Sequence, residues 1–321
     1  MNNAHNLTNV MQRMFNQPLA LHPSYAAMVV AALHDRLGIQ SLHMGEPVDI
    51  DYPGVRRRTE ALQLDREALE LLAGEGKPAA AAHRSEREKK RKVFDAQDSV
   101  AIIPIEGSLT KSWGLNPSSG VTGYDGIETK LVAAQADQDI RGVWMQLDSG
   151  GGDVAGLFPL MDLISSMTVR NGGKKPIYAM ISDYAYSAAY ALAAAADKVF
   201  IPETGGAGSV GVITMHADLS KAYAKQGVNV TIIRSGERKA KPNSFEPLEL
   251  VDLERIQGQI DRIREMFAMR VARDRGIPKS RVFKTEAVDY MGEDAKAIGF
   301  VDRIASDHQA WEQLQRAITA R

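Results

Sequence analysis

The stretch "RGVWMQLDSGGGDVAGLFPLMDLISSM", Arg141 to Met167, decides the fold. Its first third is an apolar run of strand length, its middle carries three consecutive glycines, and its last third returns apolar residues at helical spacing. A strand that passes through a glycine turn into a helix is the start of a β-α unit. The same alternation continues on both sides. Upstream, "VAIIPIEG" (Val100–Gly107) reads as a strand and "GIETKLVAAQAD" (Gly126–Asp137) as a helix. Downstream come the strand "KPIYAMISD", an alanine-rich helix after Ser187, and the strands "KVFIPE" and "SVGVITMH". The helix "DLSKAYAKQG" and the strand "NVTIIRSG" follow. Strands that are apolar on both faces and alternate with helices predict an α/β domain with a largely parallel sheet. A long amphipathic helix begins near Pro247, and a short "EDAKAIGFVD" unit and a polar C-terminal helix complete the pattern.

The chain of 321 residues divides into a helical N-terminal region over 1–73, a basic linker over 74–97, the α/β domain over 98–305 and a helical tail over 306–321. The linker reads "GEGKPAAAAHRSEREKKRKV", poor in large apolar residues and dense in charge. A net charge of −1 supplies no bulk attraction to nucleic acid or to an acidic membrane. Cysteine is absent, which removes disulfides, thiolate nucleophiles and cysteine metal sites. With no signal-peptide pattern and no apolar run of about 20 residues, a cytosolic protein is expected.

Two glycine clusters invite a nucleotide reading. "GAGSVG" (Gly206–Gly211) fits G-x-G-x-x-G by letter, but a strand pattern follows it where a dinucleotide site needs a helix. "DSGGGDVAG" (Asp148–Gly156) has the right strand and helix, yet lacks the acidic residue expected about 20 positions on. What its glycines do offer is backbone N–H groups with no side chain in the way, suited to a phosphate or to the oxyanion of a carbonyl under attack.

Acyl transfer needs a nucleophile, a proton acceptor and oxyanion donors. Ser187 lies where a strand feeds a helix, so its hydroxyl and the Ala188 N–H share one corner, while Gly151 and Gly152 supply further N–H groups. By composition a serine there is also an ordinary helix cap. Six of the seven histidines fall outside the α/β pattern, leaving His216 as the one histidine base on offer. Lys239 and Lys241, in the polar loop "IRSGERKAKPNSFEPL", are the alternatives. A lysine takes a proton only when neutral, a state that burial and neighbouring donors favour.

Four segments in order, "LDSGGGDVAG", "SDYAYSAAYALAAAADKVFIPETGGAGSVGV", "KQGVNVTIIRSGERK" and "AVDYMGEDAKAIGFVD", resemble the S49 peptidase family over about Val100 to Ile304. The resemblance implies a ClpP/crotonase-like fold, a Ser-Lys dyad of Ser187 and Lys239, and oxyanion donors at Gly151, Gly152 and Ala188. It implies no metal and no cofactor. Gly150 stands where the family usually has proline, and Ala188 and Ala189 where bacterial members usually have glycines. "MFNQPLALHPSYAAMVVAAL" and "SGVTGYDGI" resemble the phage head branch of the family. That branch implies a prohead protease in the host cytoplasm, a homo-oligomeric ring that cleaves scaffolding, portal and capsid proteins and itself, with no nucleic-acid or membrane partner. Two rivals are a crotonase-type acyl-CoA hydratase or isomerase, and a catalytically inactive assembly factor.

Overall fold

The computed structural model describes residues 19–21 and 93–320. Most of the N-terminal region and of the basic linker read from the sequence lies outside these residues; where they are described, Leu19–Leu21 and Asp95–Gln97 are strands in place of the expected helical region and linker. In chain order the strands are β1 (Leu19–Leu21), β2 (Asp95–Gln97), β3 (Val100–Thr110), β4 (Val121–Gly123), β5 (Gly142–Asp153), β6 (Ile177–Tyr186), β7 (Lys198–Ile201), β8 (Gly206–Gly208), β9 (Asp289–Met291) and β10 (Arg303–Ile304). The helices are α1 (Tyr124–Ala136), α2 (Leu157–Met167), α3 (Ala188–Ala194), α4 (Ser220–Lys225), α5 (Leu250–Arg275), α6 (Lys279–Phe283), α7 (Gly292–Ala297) and α8 (Asp307–Thr319).

The central sheet runs β10-β7-β6-β5-β3-β2, and every neighbouring pair is parallel except β2 with β3. Side chains alternate across it. Val143, Met145 and Leu147 of β5, with Ile177, Ala179 and Ile181 of β6, pack into one core with α1, α2, α3 and α5. Trp144, Tyr178 and Met180 face the other way, where Ala310, Leu314 and Ile318 of α8 cover them. The continuous apolar runs follow from this double burial. The helix over 307–319, expected from the sequence as a tail, is one layer of the domain, begun by a Ser306–Gln309 capping box.

Three elements differ from the sequence expectation. The glycines after Leu147 are strand rather than loop, since β5 continues to Asp153. The segments "SVGVITMH" and "NVTIIRSG" carry no strand in this chain, although Val228 and Val230 are exposed and Ile233 is 96% exposed. Their β-branched residues suit a strand, but a strand needs a partner along its length: Ile213 makes a single bridge, and no described strand runs beside Val228–Ile233. The G-x-G-x-x-G cluster forms the short strand β8, and the next helix begins only at Ser220, so no helix N-terminus faces it.

Helix α5 is clamped onto the helices beneath it. Asp162 of α2 receives Arg270 at 2.9 Å and Arg273 at 2.8 Å, and Asp274 accepts from Ser165 Oγ at 2.7 Å. Arg170 reaches the Ala195 carbonyl at 2.9 Å just after α3. These contacts fix the floor on which α3 rests.

Candidate active site

Ser187 joins β6 to α3 in a conformation that few residues adopt, with φ 54° and ψ −118°. Its own N–H donates to the Gly208 carbonyl at 2.7 Å and its carbonyl accepts from Ala191 at 2.9 Å, so the turn is held from β8 and from within the helix. The side chain caps no helix N–H, so the ordinary capping role does not apply here. A serine carried on a strained strand-to-helix elbow is an arrangement that nucleophiles use. Ala188 begins the helix, and its N–H has no acceptor inside that helix. All seven residues of α3 are buried, and its alanines bring it close against β5 and β6.

The glycine strand lies alongside. Ser149 is fully buried, donates its hydroxyl to the Gly107 carbonyl at 2.5 Å and accepts the Gly151 N–H at 3.1 Å. Gly151 has φ 102°, where a side chain would be strained. At Gly152 an added Cβ would lie 1.8 Å from the Leu109 carbonyl oxygen, so only glycine lets β3 approach this closely. Asp153 closes the segment, accepting Thr110 Oγ1 on its carboxylate at 2.9 Å and Tyr124 OH on its carbonyl at 2.7 Å. Burial, and then the Asp153 charge, push the Tyr124 phenol well above its ordinary pKa, so it stays a donor.

The three base candidates sit in different surroundings. Lys239 is exposed, on a turn whose backbone closes from its N–H to the Gly236 carbonyl at 3.0 Å. Lys241 is engaged in an ion pair with Glu249. His216 lines a small crevice with Lys241, Pro242, Glu249 and Asp252. Burial holds its imidazole below the usual range, partly opposed by Asp218. Among the described residues no cluster of His, Cys, Asp or Glu could hold a metal ion. No helix among them is long and apolar enough to cross a membrane.

Sequence reasoning missed the supports of this site. Ser149, Thr110, Tyr124 and Asp153 hold the glycine strand through side chains separated by up to 43 positions. Such contacts leave no periodic trace. It also missed β1, which pairs with the same glycines.

Residues 170–320 match the model of peptidase family S49. The head-tail preconnector protein GP5 of Enterobacteria phage P21 is 33% identical over 98% of this chain, and the capsid assembly protease C of Escherichia phage lambda is 32% identical over 98%. The chain spans 58% of the first relative's length and 67% of the second's. Among solved structures, a point mutant of ClpP1 from Listeria monocytogenes overlays 65% of this chain and 93% of its own, with a TM-score of 0.41 and 15% identity.

Proposed function

Because the chain belongs to peptidase family S49, we infer that it is a serine endopeptidase in which Ser187 is the nucleophile. The observation that carries this reading is the Ser187 elbow: a buried hydroxyl on a positive-φ turn that caps nothing and follows the strand beside the glycines. In the reaction Ser187 Oγ attacks a peptide carbonyl while its proton passes to the neutral amine of Lys239. The Ala188 and Gly152 N–H groups hold the oxyanion, while the Gly151 N–H, a donor expected from the sequence, is taken up by Ser149 Oγ. Collapse of the tetrahedral intermediate expels the amine half, which takes the proton back from Lys239. Water then hydrolyses the acyl ester by the same proton route and regenerates Ser187.

Lys239 is chosen over Lys241 because the latter is held by Glu249, and over His216 because that ring sits in the crevice beside Lys241. In one chain Lys239 faces water, and a lysine becomes a base only when water is removed from around it. The exposed apolar residues Val228, Val230 and Ile233, which precede its loop, suit a neighbouring copy as cover. A homo-oligomeric ring therefore completes the site, with the dyad formed as copies associate.

The names of the phage relatives support a role in head assembly. The substrates are then scaffolding, portal and capsid proteins, with self-cleavage in the same event and the host cytoplasm as its place. Ser187→Ala co-expressed with the scaffolding protein should leave it uncut, and a fluorophosphonate should label the native chain at Ser187 alone. Undiminished cleavage by Ser187→Ala overturns the assignment. An acyl-CoA hydratase on this fold would carry no such label, and an inactive assembly factor would process nothing.

A further inference from the structure

At its glycines β5 has two edges. β3 holds one through the parallel pairs Ser108↔Gly151 and Leu109↔Gly152. β6 follows the other as far as Ser149↔Ala185, then pairs with β8 and turns at Ser187. Leu19–Leu21 pairs antiparallel with the same glycines, in the register Leu19↔Asp153, Ala20↔Gly152 and Leu21↔Gly151. A strand has only two hydrogen-bonding edges. With β3 on one, β1 must lie on the other, beginning where β6 departs and therefore on the side of Ser187.

That edge is prepared before anything binds it, because Ser149, Thr110 and Tyr124 fix Gly151 to Asp153 from the opposite side. An extended peptide adds to such an edge through its backbone. Ser187 is 1% exposed, so the chain in this arrangement does not offer its hydroxyl to an incoming substrate. In the sequence Pro18 and Pro23 bracket the segment, and proline has no N–H to donate to a ladder.

We propose that Leu19–Leu21 is a built-in pseudo-substrate: it occupies the strand position on Gly151–Asp153 that a substrate peptide takes, and a substrate must displace it. The proposal rests on the reading of Ser187 as nucleophile and adds two things to it. Substrate runs antiparallel to β5, and the resting chain is autoinhibited. If the segment fills the edge about nine-tenths of the time, the apparent KM is raised about tenfold.

The test is the full chain carrying Ala20→Pro and Leu21→Pro together. In an antiparallel ladder alternate residues donate, so one of the two prolines removes a ladder bond whichever register of bonds is present. In the Ser187→Ala background, deuterium exchange at Gly151–Asp153 should quicken about tenfold or more, while Val143–Leu147 stays protected and reports an intact domain. In the active chain, KM for an extended peptide substrate should fall about tenfold with kcat unchanged. A synthetic peptide spanning Asn16–Ser24 should inhibit competitively, and this arm decides if the prolines disturb folding. Unchanged exchange at the glycines, or no competition by the peptide, overturns the proposal. Failure of fluorophosphonate labelling at Ser187 overturns the nucleophile instead, and leaves the exchange result standing.

Discussion

At Ser187 the backbone and the side chain make opposite demands. A non-glycine residue at φ 54° and ψ −118° costs about 1–3 kcal/mol, and the hydroxyl recovers none of it by capping α3. Ser187→Gly should therefore raise stability by about 1 kcal/mol in urea unfolding while abolishing peptide cleavage; a loss of stability would mean that the hydroxyl has a structural partner. An ordinary cap behaves in the reverse way, costing a few tenths of a kcal/mol on change to glycine. The lysines separate by the same logic of engagement. Lys239→Ala should lower kcat by about 10²- to 10⁴-fold, the usual contribution of a general base. Lys241→Ala, which breaks only a surface ion pair with Glu249, should change kcat less than about threefold and stability by less than about 1 kcal/mol. Equal losses for both would place the base elsewhere.

The elements differ in how openly the chain announces them. β5 and β6 were legible because residues such as Val143, Met145, Tyr178 and Met180 make both faces apolar, and α3 because its alanines favour a helix. The continuation of β5 through Gly150–Asp153 was not, since glycines read as a break until β3 is seen to pass 1.8 Å from where a Gly152 Cβ would stand. Likewise Val230, Thr231, Ile232 and Ile233 have strand chemistry and no strand, because propensity is local and pairing is not. Ser187 was legible as a candidate from its place after a strand and Lys239 from a strand-like segment that forms no strand, whereas the elbow dihedrals and the Ser149 anchor needed coordinates. Gly152→Ala follows from that contact. Its methyl meets backbone rather than a movable side chain, so urea unfolding should show a loss of about 3 kcal/mol or more. Gly258→Ala, in the middle of α5 with its nearest neighbour the Arg262 guanidinium at 3.8 Å, should stabilise by about 0.8 kcal/mol. Opposite signs for the two glycines would be hard to explain by composition; a neutral or stabilising Gly152→Ala would show that the Leu109 contact relaxes.

Across the whole molecule, two carboxylates respond to acid in opposite senses. Asp302 joins the end of α5 to the start of β7, accepting Arg275 at 2.9 Å and the Val199 N–H at 2.8 Å, with Lys198 at 3.4 Å. Burial alone would raise its pKa, but the Arg275 charge and hydrogen bond, the Val199 N–H and Lys198 outweigh it and hold the carboxyl below the usual range. Asp148 stands beside Glu106 in the register of β5 with β3, and burial followed by the charges of Asp183 and Glu106 pushes it up. A depressed folded pKa gives stability that is present above the unfolded value, about 3.9, and is lost as pH falls through the folded one. A raised folded pKa gives stability that is present below about 3.9 and is lost as pH rises through the folded value. Asp302→Asn should therefore cost about 2–3 kcal/mol at pH 7 and progressively less as pH falls below about 4, since the parent chain loses the ion pair there anyway. Asp148→Asn should stabilise at pH 7 and have little effect near pH 3. Urea unfolding of both variants at the two pH values reads the signs directly. An Asp302→Asn penalty that persists undiminished in acid would mean that hydrogen-bond geometry, rather than charge, ties α5 to the sheet.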